Sequence, residues 1–112
     1  MSDIMFKREP PIRSTQVDVD ELAEDIDRFV IVLAERIDAI QDAELANCTD
    51  EIASLARQLS SDAERVGYPG MAQNAKSTAM AAEDGKLEVM REHIVELTDL
   101  AQRIRRGHRG AV

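Results

Sequence analysis

The sequence predicts an all-α protein, an antiparallel up-down-up-down four-helix bundle with an extended N-terminal arm. Three observations carry that prediction. The 112 residues are 44% apolar and 32% charged, with 3% aromatic residues and three prolines, which is the composition of a helical protein with one core and not of a disordered chain. Apolar residues recur at steps of three and four over four stretches. Short segments rich in Gly, Pro, Asn and Asp separate those stretches, and short connections make consecutive helices antiparallel neighbours.

Residues 1–16 form the arm. Pro10 and Pro11 favour extended backbone, and the apolar cluster Ile4, Met5 and Phe6 could dock on the body of the domain or on a second copy. The bundle is expected over residues 17–107. Its first helix, about Asp18 to Leu45, carries Leu22, Ile26, Phe29, Leu33, Ile37 and Ile40 on one stripe, with Val30 beside it. At about 100° per residue Ile31 points away from that stripe, among Asp27, Glu35 and Asp38. It reads either as an isolated exposed isoleucine or as a contact with a partner or a second copy.

In the following turn Thr49 is the expected N-cap, with Asn47 as the alternative, and Asp50 and Glu51 suit the first turn of the second helix. That helix runs to about Val66 with Ile52, Leu55, Ala56, Leu59, Ala63 and Val66 inward. Gly67 ends it in the left-handed conformation, and Pro69 opens the third helix. The third helix, to about Ala82, has a thin inward face of Met71, Ala72, Ala75, Ala79 and Ala82, so it should pack closely. Asp84-Gly85 breaks the pattern. Leu87, Met90, Ile94, Leu97, Ala101 and Ile104 define a fourth helix that Gly107 is expected to close, leaving residues 108–112 as a basic flexible tail. Arg103, Arg105, Arg106 and Arg109 complement the negative end of that helix, or meet an acidic partner.

A net charge of −8 disfavours nucleic-acid binding, which needs clustered cations. The single cysteine, Cys48, fits a reducing compartment, and no apolar run reaches the roughly 20 residues a membrane span requires. The N-terminus lacks the apolar core of a secretory signal, so a cytoplasmic location is expected, with no membrane partner. His93 and His108 have no Cys or His at ligand spacing, and His93 falls at the edge of the apolar stripe of the fourth helix as a packed boundary residue. Neither Cys48 nor Ser60-Ser61 sits in a nucleophile context, and the carboxylates spread along helix faces as solvated or i, i+4-paired groups. No enzyme, metal or cofactor is expected.

The stretch Ala56 to Pro69, ARQLSSDAERVGYP, resembles the signature of histidine phosphotransfer (HPt) domains, antiparallel four-helix bundles that carry a phosphoryl group between receiver domains. That signature is roughly H-x-L-K-G followed by two small residues and, further on, a hydrophobic residue and glycine, with an alanine before the histidine. Aligning its glycine on Gly67 matches Val66, Ala63, Leu59 and Ala56 to its packing positions. FVIVLAERIDAI resembles the family's first bundle helix, and YPGMAQNAKSTAMAAEDGKLEVMREHIVEL its last hairpin, so the likeness spans about Val19 to Ile104. The chemical positions depart from the family. Arg57 stands where the phosphorylated histidine belongs, Ser60 replaces the lysine, Ser61 the glycine, and Asp62 a small residue.

An arginine stays protonated and offers no nucleophilic nitrogen, so the resemblance implies a degenerate member that keeps the docking surface without carrying phosphate. The partner it implies is a receiver domain or a histidine kinase. On the second helix Arg57 lies about 150° from the buried stripe, with Ala53, Ser54, Ser60, Ser61 and Glu64 along its face. The expected contact surface is therefore Arg57, Ser54, Ser60, Ser61 and Glu64, with Ile31 on the first helix. Arg57 could enter a receiver's acidic pocket, or it could rest as a solvated cation beside Glu64. The alternative function is a self-associating bundle, a homodimer built on Ile31 and the N-terminal arm.

Overall fold

The computed structural model describes residues 10–110, without the side chains of the last two of these. Ile4, Met5 and Phe6, the cluster that could dock on the body or on a second copy, lie outside the described residues, as do the Arg109 side chain, Ala111 and Val112. A 3-10 turn over Asp20–Leu22 leads into α1 (Ala23–Leu45), followed by α2 (Thr49–Arg65), α3 (Pro69–Glu83) and α4 (Leu87–Gly110). Each helix packs on the next and α4 returns to α1, while the diagonal pairs α1/α3 and α2/α4 stay apart, which is the up-down-up-down square. The closest packing is between α2 and α3, where Ala56, Ala63, Ala72, Ala75 and Ala79 are buried and their small side chains let the backbones approach.

All three interhelix turns close alike. Asn47 (φ 57°), Gly67 (φ 89°) and Gly85 (φ 72°) take the left-handed conformation just past α1, α2 and α3. In each, that residue and the one after it donate backwards into the last turn: Asn47 to Glu44 O and Cys48 to Ala43 O, Gly67 to Glu64 O and Tyr68 to Ala63 O, Gly85 to Ala82 O and Lys86 to Ala81 O. These bonds occupy carbonyls that a helix end leaves without partners. Gly67 and Pro69 thus do what the sequence predicts. Asn47 does not cap α2; it terminates α1, a role open to asparagine because its short polar side chain tolerates positive φ. Thr49 is the first helical residue and not the N-cap, and no side chain caps α2.

Leu33, Ile40, Ile52, Leu59, Leu97 and Ile104 are fully buried, two of them from each of α1, α2 and α4. Phe29 stacks on Tyr68 at 5.6 Å between ring centroids, joining α1 to the α2–α3 turn. Leu87, expected inward, is 43% exposed, because it opens α4 beside the Gly85 turn at the end of the bundle. A chain of ion pairs staples α1 to α2: Asp25 to Arg65 at 3.1 Å, Arg65 to Asp62 at 3.9 Å and Asp62 to Arg36 at 3.0 Å.

Two further features differ from the sequence reading. Gly107 does not end α4; the helix continues to Gly110, and Gly107 is buried inside it. The arm, over residues 10–16, does not stand off the bundle. Ile12 N–H donates to the Arg103 carbonyl (3.0 Å), Arg103 Nε to the Pro10 carbonyl (2.9 Å), Thr15 N–H to the Gly67 carbonyl (2.8 Å), and the buried Ser14 hydroxyl to the Val66 carbonyl. Among the described residues no helix is long and apolar enough to cross a membrane.

Candidate functional site

The outward face of α2 carries the predicted contact residues, and the structure divides them. Ser54, Arg57, Ser61 and Glu64 are exposed. Ser60 is half-buried and donates its hydroxyl to the Ala72 carbonyl at 2.7 Å, so it ties α2 to α3 and does not present a free hydroxyl. Ala53, expected on the same face, is buried against the core. Ile31 is 75% exposed on α1, and no described contact joins it to the α2 residues. Asp62 faces the other way, toward Arg36 and Arg65, so its charge is spent on the α1–α2 staple.

Arg57 stays in contact with solvent, but the carboxylate it pairs with is not Glu64. Its guanidinium makes a bidentate pair with Glu83 near the end of α3, Nε to Oε2 at 2.8 Å and the second nitrogen to Oε1 at 2.6 Å. Both side chains are about half exposed, 48% and 43%. The paired hydrogen bond and charge hold the Glu83 carboxyl below its ordinary value and raise Arg57 further, so both stay ionised across the neutral range.

Between α2 and α3 runs an open groove of about 470 Å³, lined by Ser60 and Glu64 on one side, by Gln73, Lys76, Ser77 and Met80 on the other, and by Pro69 and Ala72. Lys76 is exposed and has no carboxylate partner among the described residues. Met80 is 47% exposed. Lys76, Met80 and Glu83 belong to the site through α3, and sequence reasoning missed them. Their spacing of four and three places them on one stripe of α3, about 100° round the helix from Met71, Ala75 and Ala79, so the stripe was readable. Which neighbour that stripe flanks depends on how α3 crosses α2, and no local pattern encodes it.

Both histidines lie on α4. His93 is half-buried with Nδ1 3.9 Å from Glu96 Oε1, and Glu96 also receives the Asn74 amide. His108 Nε2 lies 2.9 Å from Asp27 Oδ1. No group of three metal-ligating side chains occurs among the described residues. The outward face of α2 and α3 thus holds Lys76 without a carboxylate partner among the described residues, Arg57 engaged by Glu83, and a groove that carries both the Met80 thioether and the Glu64 carboxylate on its walls. No protein-family model matches the chain, and no curated protein or solved structure matches it either.

Proposed function

We propose that this chain is a non-catalytic, HPt-like signalling module that docks a response-regulator receiver domain or a histidine kinase without itself carrying phosphate. The observation that supports it most is the side chain at the position where the resemblance expects a phosphoacceptor histidine. There α2 presents Arg57, half exposed and held outward by Glu83. A guanidinium that never loses its proton cannot attack a phosphoryl group, but it binds carboxylate and phosphate oxygens in the same two-point geometry it uses on Glu83. An acidic receiver pocket would exchange for Glu83 on Arg57, while the unpaired Lys76 across the groove adds a cation that costs no internal pair. Ser60, standing where the resemblance expects a lysine, is occupied with the Ala72 carbonyl and contributes no charge.

Titration calorimetry with receiver domains, unphosphorylated and phosphorylated, tests this. Binding should be saturable and should fall at least tenfold in Arg57→Glu and in Lys76→Glu with helical content unchanged. Equal affinity for wild type and both variants would remove this face from the interface.

A second reading, self-association, rests on Ile31 at 75% exposure. Size-exclusion chromatography with light scattering decides it: a dimer that Ile31→Asp dissociates would favour this second function.

A further inference from the structure

The arm is bound to the bundle as a ligand would be. Its backbone belongs to no helix or strand from Pro10 to Ser14 and turns over residues 15–18, and it meets the body at two places on different elements. At α4, Ile12 N–H reaches the Arg103 carbonyl while Arg103 Nε returns to the Pro10 carbonyl. At the α2–α3 turn, Ser14 donates to Val66 O and receives Gln16 N–H at 2.9 Å, and Thr15 N–H reaches Gly67 O. Ile12 packs half-buried against the core.

Both landing places are glycines for a steric reason. A Cβ on Gly107 would run into the Ile12 carbonyl oxygen and stand 2.8 Å from its carbonyl carbon. A Cβ on Gly67 would come within 2.5 Å of Ser14 Oγ and 2.8 Å of Gln16 N. Gly107 lies in the last turn of α4 with a helical backbone, where alanine is otherwise the better helix former. Its absence of a side chain is explained by the passing arm.

The geometry points to residues 10–16 acting as a latch, a non-helical segment that binds α4 and the α2–α3 turn together and can release from both while the four-helix core stays folded. The arm is held by one half-buried isoleucine and a few hydrogen bonds, and ordering its backbone costs entropy at every residue. The core, by contrast, is closed by fully buried leucines and isoleucines from three helices. Opening of the arm is therefore a local event with a free energy well below that of global unfolding. Its consequence falls on the end of α2: the latch holds the Val66 and Gly67 carbonyls, directly beyond the turn of helix that carries Ser61 and Glu64. This inference stands apart from the proposed receiver binding and does not require it.

Native-state trypsin digestion of the full chain tests it, because Arg13 is exposed and the Arg13–Ser14 bond lies inside the latch. Mass spectrometry follows the fragment beginning at Ser14. In wild type the bond should be cut slowly, with a urea dependence much shallower than that of the helical signal. Gly107→Ala and Ser14→Ala should each speed the cut at least tenfold at unchanged helicity. In Gly107→Ala, amide exchange over residues 66–72 should also quicken, although Gly107 lies on α4. Because alanine favours a helix that nothing crosses, a Gly107→Ala protein that is more stable and no more readily cut would overturn the latch. So would a cut at Arg13 as fast in wild type as in both variants, or one with the urea dependence of global unfolding. Should Gly107→Ala fold poorly, Ser14→Ala and Ile12→Ala, which leave the helix backbone untouched, carry the same comparison.

Discussion

Gly67 and Gly85 form a matched pair that measures how much the docked arm contributes to stability. Both sit two residues past the last residue of a helix, both have positive φ (89° and 72°), and each with the residue after it makes the same two backward hydrogen bonds. They differ in surroundings: nothing lies within 4 Å of a Cβ built on Gly85, whereas one on Gly67 meets Ser14 Oγ at 2.5 Å and Gln16 N at 2.8 Å. Gly85→Ala therefore costs only the left-handed strain of an L-residue, roughly 1 kcal/mol. Gly67→Ala adds displacement of the arm, with loss of the Ser14–Val66 and Thr15–Gly67 hydrogen bonds at about 1 kcal/mol each. The expected total is about 3 kcal/mol. For a domain of this size that separates the two variants by roughly 8–16 °C in melting temperature. Urea and thermal unfolding followed by far-UV circular dichroism would show it. Costs equal within about 0.5 kcal/mol, the scale of substitutions that touch nothing, would refute a contribution from the arm.

Other expectations follow from the same coordinates. Leu59→Ala, at a fully buried position of α2, should cost about 2–5 kcal/mol by calorimetry or urea titration. Ile31→Asp should change stability by no more than about 0.5 kcal/mol, since the side chain is three-quarters exposed. Arg57 holds the Glu83 carboxyl below its ordinary value of 4.5, so the folded state gains from this pair above that pH and loses the gain as pH falls through the lowered value. Carboxyl NMR titration should place Glu83 at the low end, and Arg57→Gln should return it upward. Burial, with Asp27 nearby, raises the Tyr68 hydroxyl above its ordinary value of 10.0. The folded state therefore loses stability as pH climbs past 10.0 toward the raised value, a loss that Tyr68→Phe should abolish in alkaline melts.

The helices were legible because each buries a continuous stripe, and the three-and-four spacing from Ile26 to Ile40 or from Met90 to Ile104 has no other economical reading. Gly67-x-Pro69 was legible for the same reason, since local backbone preference alone decides it. What escaped was set by approach between distant segments. Gly107, near an arginine-rich end, has every mark of a helix terminator; only the Ile12 backbone passing over it shows why a glycine stands inside the last turn of α4. Arg57 could be assigned to the outward face of α2, but its partner lies 26 residues away on α3, so Glu83 was out of reach of any i, i+4 rule and Glu64 was the nearer guess. Asn47 looked like a cap for the helix after it because asparagine serves both ends, and its positive φ decided between them. Lys76 was hidden by the unknown crossing of α3 on α2, although its position to one side of the alanine stripe was plain.

The most direct measurement bearing on the proposed function is incubation of the full chain with a phosphorylated receiver domain, following both complex formation and the phosphoryl group. A saturable complex that Arg57→Glu weakens, with all phosphate remaining on the receiver or released to solvent, is the expected result. Stable phosphate on this chain that disappears in His93→Gln or His108→Gln would contradict it, and so would the absence of any complex with receivers and their kinases.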